Sequence, residues 1–175
     1  MKCLLLTCIL AAPVGALASD HAAATFMKSC LDGGPSFTRT LDAAKREQWP
    51  PLAADMAMAF TPVGDPIAIE GWLTRDGSAG TFEAVVAFRA EASGKRVEGC
   101  TTAYSGSNAE AFEKALATDV KAKALGEEQG QDTVYKRYSA VIGGRHVAIT
   151  LTLPRYPKGD DQVLASAVAE ELVEN

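Results

Sequence analysis

The chain has 175 residues, with 22 acidic and 17 basic side chains and a formal net charge of −5. That length buries a continuous core as one domain without needing several staples. An acidic chain with no Lys/Arg cluster excludes nucleic acid as a partner, because phosphate neutralisation supplies most of that affinity, and it disfavours anionic membrane surfaces for the same reason.

Residues 1–18 read as a cleavable secretory signal peptide. Lys2 is the one charge before Asp20, a short apolar stretch follows from Cys3, and Ala16-Leu17-Ala18 has the small residues of a cleavage site. Leu5-Leu6-Thr7-Cys8 has the outline of a lipoprotein box, with too little apolar sequence before it to serve as one. The apolar run is also shorter than the roughly 20 residues that span a bilayer, so no stable membrane insertion is expected. Residues 19–175 are then a single α+β domain bound for the periplasm or the cell exterior, its charge moved from −5 to −6 by the loss of Lys2.

Cys3 and Cys8 leave with the signal. Cys30 and Cys100 remain as the only pair and predict a disulfide in an oxidising compartment. No Cys-x-x-Cys is present to suggest redox chemistry.

Residues 22–31 predict a helix, with Phe26, Met27, Cys30 and Leu31 on one face, ended by Asp32-Gly33-Gly34-Pro35. Ser36 caps a second helix to about Gln48, striped by Phe37, Leu41 and Ala44 and stopped by Trp49-Pro50-Pro51. Residues 52–65 fit either a short helix or an irregular packed connector.

Three strands follow by strict alternation. Ile67, Ile69 and Leu73 alternate with Ala68, Glu70 and Trp72, and Asp76-Gly77-Ser78 turns the chain. Phe82, Ala84, Val86 and Phe88 alternate with Glu83, Val85, Ala87 and Arg89. After Ser93-Gly94 the third strand runs from Arg96 to Tyr104.

Ser107 to Glu110 is a capping box opening a helix with Phe112, Leu116 and Val120 on one face and Gly126 as its C-cap. Residues 127–132 read as a polar loop. Residues 133–142 and 145–153 form a hairpin on Gly143-Gly144, a pair suited to a primed turn. Asp160 or Asp161 caps a last helix striped by Val163, Leu164, Ala167, Val168 and Leu172. The simplest packing is a two-layer α+β domain: a five-stranded antiparallel sheet with the helices packed on one face.

Three functional readings arise. The first is a binding or protein-interaction module for an unidentified protein or small molecule. A two-residue hairpin loop pairs Val141 with His146, Ser139 with Ala148, Arg137 with Thr150 and Tyr135 with Thr152, all facing away from Val147, Ile149 and Leu151. Tyr135, Arg137, Ser139 and His146 then form a polar sheet face suited to a carboxylate or a sugar, with Arg137 as the anchoring cation. Trp72, at a polar position of the first strand, adds an aromatic candidate.

The second reading is a small hydrolase using His146 with Ser139, although no acid is placed to orient the imidazole. The third is a copper- or nickel-handling protein. Cleavage after Ala18 exposes Ser19-Asp20-His21, whose amine, two amides and His21 imidazole supply square-planar nitrogen ligands. Met56 and Met58 offer thioethers to Cu(I), yet in an Ala/Phe-rich stretch they read better as packing, unless Met27 or His21 folds beside them. No other cofactor is expected.

Overall fold

In the computed structural model, residues 15–76, 82–105, 109–156 and 162–172 are described. Four α-helices lie among them: α1 (Gly15–Phe26), α2 (Phe37–Glu47), α3 (Ala54–Phe60) and α4 (Ala109–Thr118). The strands are β1 (Ala68–Asp76), β2 (Phe82–Ala92), β3 (Lys95–Ser105), β4 (Lys123–Gln129), β5 (Thr133–Ile142), β6 (Arg145–Pro154) and β7 (Gln162–Glu170). All seven join one antiparallel sheet in the order β1-β2-β3-β7-β6-β5-β4. Two meanders, β1 to β3 and β4 to β6, are therefore joined by the last strand of the chain.

The expected five-stranded sheet is thus corrected to seven strands, for two separate reasons. The expected C-terminal helix is β7. Its sequence QVLASAVAE has apolar or small residues on both faces, since Val163, Ala165, Ala167 and Ala169 point to one side and Leu164, Ser166 and Val168 to the other. A strand covered on both sides loses the alternation that would separate it from a helix. The second addition is β4. The expected helix through Val120 stops at Thr118, and residues expected as helix end and polar loop pair with β5. Every residue of β4 is exposed, so no burial pattern marked it as a strand. Gly126 lies at a bulge in β4 and is not a helix cap.

The helices also occupy both faces of the sheet. On the first face, α1 and α4 set Phe26, Phe112 and Leu116 against Val85, Tyr104, Val147, Ile149, Leu151 and Val163. On the same face α2 places Phe37, Leu41 and Ala44 over Trp72 and Ala87. The second face is covered by α3, whose Ala57 and Phe60 meet Ala84, Val86 and Ala103. Beside it Val63 of the following connector packs on Phe88, Ala90 and Val97. A seven-residue helix is about 10 Å long, roughly two strand spacings. It covers the β1–β3 half of that face, and among the described residues no helix covers the rest.

Local signals place several elements as expected. Ser36 Oγ accepts the Arg39 N–H at the start of α2, and Gln48 ends it in the left-handed region. Gly143 and Gly144, with φ of 58° and 77°, give the tight turn that holds the β5–β6 register. The Ser107 end of the capping box, the Asp76-Gly77-Ser78 turn beyond Asp76, the Asp160-Asp161 cap and residues 1–14 of the expected signal lie outside the described residues.

The Cys30–Cys100 disulfide is present, with its Cα atoms 5.2 Å apart. Cys30 sits in a π-helical turn, Met27–Leu31, that continues α1 and closes with Asp32 N–H donating to the Met27 carbonyl. The link ties this turn to β3, where Cys100 lies opposite Ala167 of β7.

At the same end Glu98 is buried and receives the Phe37 N–H at 2.9 Å, and Arg145 stands 3.1 Å from its other oxygen. Arg145 also donates to the Pro35 carbonyl at 2.9 Å. A carboxylate at the N-terminus of α2 complements the helix dipole and an orphan N–H. This pair joins α2 to β3 and β6.

Replacing both cysteines, C30A with C100A, is expected to lower the unfolding free energy by roughly 4 kcal/mol, the chain-entropy value for a loop of about 70 residues. Urea denaturation measures it, and a loss below about 1 kcal/mol would show that the link constrains little. Gly99→Ala is a second test. Its Cβ would stand 2.1 Å from the Phe88 ring directly across the ladder, and overpacking of that kind costs about 3 kcal/mol.

Candidate functional site

The β5–β6 register puts Tyr135 opposite Thr152, Arg137 opposite Thr150, Ser139 opposite Ala148 and Val141 opposite His146. These positions all lie on the second face of the sheet. β7 extends three of the rows, with Val168 beside Ala148, Ser166 beside Thr150 and Leu164 beside Thr152. β4 extends three rows outward, with Glu128 beside Tyr135, Gly126 beside Arg137 and Lys123 beside Ser139.

A groove of about 410 Å³ runs over these rows, walled on one side by Phe60, Thr61 and Pro62 at the end of α3. Its sheet side is Tyr135, Arg137, Thr150, Thr152, Leu164 and Ser166. The wall exists because α3 ends at Phe60, which is buried under the helix, and the chain turns away at Pro62. The floor is polar because the alternating residues of β5 and β6 put their apolar members on the helix-covered face. Ser166 shares a hydrogen bond of 2.9 Å with Thr101 of β3. Arg137 donates to Glu128 at 2.5 Å in a pair that is more than half exposed on both sides.

Two of the expected binding residues, Tyr135 and Arg137, therefore line one groove. Ser139 lies one row further along β5, and His146 is exposed one row beyond it. Among the described residues neither a carboxylate nor Ser139 contacts His146, so nothing there orients the imidazole for the hydrolase reading. Trp72 is corrected as a surface candidate. It is only 7% exposed, on the opposite face of the sheet, packed under Phe37 and Ala44 of α2. Its strand parity was readable, but the helix covering that face was not. The groove residues missed from sequence are Phe60, Thr61, Leu164 and Ser166, which reach the site only because α3 crosses the sheet and β7 enters its centre.

His21 lies on α1, with Nε2 3.4 Å from Oε2 of the buried Glu83. Thr74 donates its hydroxyl to the other Glu83 oxygen at 2.5 Å. This group borders a cleft of about 400 Å³ between α1 and α2 that also receives Lys28, Arg39 and Arg46. Among the described residues no group of three His, Cys, Asp or Glu side chains is placed to hold a metal ion. Met56 and Met58, on α3, are more than a third exposed and so do not fill the core. Met27 packs against the core on the other face of the sheet, on the side of α1 and His21, so the thioethers and the imidazole do not converge.

A larger cleft, about 780 Å³, opens at the N-terminus of α2. Its charges are largely matched within the protein: Arg89 Nε is 3.0 Å from Glu171, Lys95 pairs with Glu170, and Glu98 with Arg145. These contacts tie β2, β3, β6 and the end of β7 together.

Tyr104 is buried, its ring tilted against Phe112 with centroids 5.5 Å apart, and its hydroxyl titrates well above the ordinary tyrosine range. Burial is the main cause, and the negative charge of Glu83 adds to it. The folded state therefore holds the Tyr104 proton more tightly than the unfolded chain. Its contribution is complete below the ordinary pKa of 10.0 and is lost as pH rises above it, by about 1.4 kcal/mol per unit. Between pH 10 and 11.5, urea denaturation is expected to show Tyr104→Phe losing less stability than the parent by roughly this slope. Equal losses would show that Tyr104 ionises freely in the fold.

Comparison with protein-family models, with curated proteins and with solved structures finds no match for the chain.

Proposed function

We propose that the protein is an exported binding module that takes a small ligand in the groove between the end of α3 and the uncovered half of the sheet. The observation that carries this reading is the concave junction itself. An apolar wall of Phe60 and Pro62 faces a floor of Tyr135, Arg137, Thr150 and Thr152, the mix of shape and few polar groups that fixes a small ligand. The rest of the architecture supports a rigid site, since sheet strands hold polar side chains at set spacing more firmly than loops do. Export is supported by the Cys30–Cys100 disulfide, which persists in oxidising compartments. No helix among the described residues is long and apolar enough to cross a membrane.

The test is a thermal-shift panel of monosaccharides, disaccharides, amino acids and dicarboxylates at millimolar concentration. At least one compound is expected to raise the Tm by about 2 °C or more, through its binding to the folded state alone. Thr150→Arg, which fills the groove from its floor, should abolish that shift while leaving the unliganded transition cooperative. A panel without effect, or a shift that Thr150→Arg does not touch, would overturn the reading.

A further inference from the structure

We infer that the ligand of this groove is a neutral polyhydroxylated molecule, an oligosaccharide; the inference rests on the groove being the binding site. The argument starts with charge. Arg137 is the one charged side chain among the described residues that line the groove. Its guanidinium is already engaged by Glu128, 2.5 Å away on the neighbouring strand. An incoming carboxylate or phosphate would meet the Glu128 charge together with that of Arg137, and the chain as a whole is acidic, at −5. A neutral ligand meets no such opposition. To it Arg137 offers guanidinium N–H donors from the groove, with the Glu128 carboxylate beside them on the neighbouring strand.

The rest of the lining follows the same chemistry. Thr150 and Thr152 on β6 and Tyr135 on β5 present hydroxyls on a lattice with about 4.8 Å between strands. Each hydroxyl both donates and accepts, which matches a ligand whose own polar groups are hydroxyls. The Tyr135 ring and Pro62 add apolar surface for the C–H faces of a sugar ring, and an aromatic with a polar tip suits a ligand that is half apolar and half wet. Beyond Arg137 the same sheet face continues to Ser139, between Ala148 and Lys123, and then to Val141 and His146, so a chain of several sugars has further mixed polar and apolar surface along which to lie.

The experiment is a ¹H–¹⁵N NMR titration of the protein with cellohexaose, maltohexaose, laminarihexaose and chitohexaose, and with hexagalacturonate as the anionic counterpart. At least one neutral hexasaccharide is expected to shift the amides of Tyr135, Arg137, Thr150 and Thr152, with Kd on the order of 0.1–1 mM. The affinity should not change between roughly 0.05 and 0.5 M NaCl, since no net charge is neutralised. Tyr135→Ala should weaken binding about tenfold with an unchanged thermal transition, and Thr152→Val should weaken it independently of the aromatic ring.

Shifts at these amides with hexagalacturonate alone would overturn the ligand class and leave the groove as a binding site. Neutral sugars binding only elsewhere, or not at all, would also overturn it; the thermal-shift panel with Thr150→Arg then decides separately whether the groove binds anything.

Discussion

The strand Gln162–Glu170 has to enter between β3 and β6, and the rest of the architecture depends on that pairing. It hydrogen-bonds along β3 on one side and along β6 on the other. Without it the molecule would be two three-stranded meanders, each with an open edge of unpaired backbone groups. Small residues suit the strand to this place. Ala165, Ala167 and Ala169 let α1 and its π-helical turn come close over one face, where Cys30 reaches Cys100 beside Ala167. On the other face Leu164 and Ser166 complete a floor that β5 and β6 alone would leave half built.

The two faces of the sheet are treated unequally, and that inequality creates the candidate site. The first face is covered by α1, α2 and α4, and the buried Arg145–Glu98 pair fastens the start of α2 to the sheet. A buried pair of this kind owes its placement to several partners at once, since either charge left alone would be costly. The second face receives one short helix and a connector. Where that cover stops, an apolar step meets a polar sheet, and a groove follows from the step.

The legible parts of this arrangement were those set by local chemistry. Gly143-Gly144 permits one tight turn, and that turn alone fixes which residues of β5 and β6 face each other, so Tyr135, Arg137, Ser139 and His146 were assigned to one face by parity. The disulfide was legible because Cys3 and Cys8 fall in the expected signal, which leaves one pair. β7 was not legible, because an Ala-rich segment with apolar residues at both parities satisfies a helical stripe as well as a strand. β4 was not legible for the opposite reason: all its residues are exposed, and its pairing with β5 comes from backbone bonds that leave no hydrophobic signature.

The sequence by itself determined the alternation of β5 and β6, the Gly143-Gly144 turn, the Ser36 cap and the pairing of Cys30 with Cys100, because each depends on neighbours within a few residues or on elimination among very few partners. Only the tertiary structure decided which face a helix covers. Trp72 and Tyr135 both sit at non-core parity in their own strands, yet Trp72 lies beneath α2 and Tyr135 lines a groove. Burial depends on which distant segment fills the space above a side chain. That is a property of packing between elements far apart in the chain, and no local pattern records it.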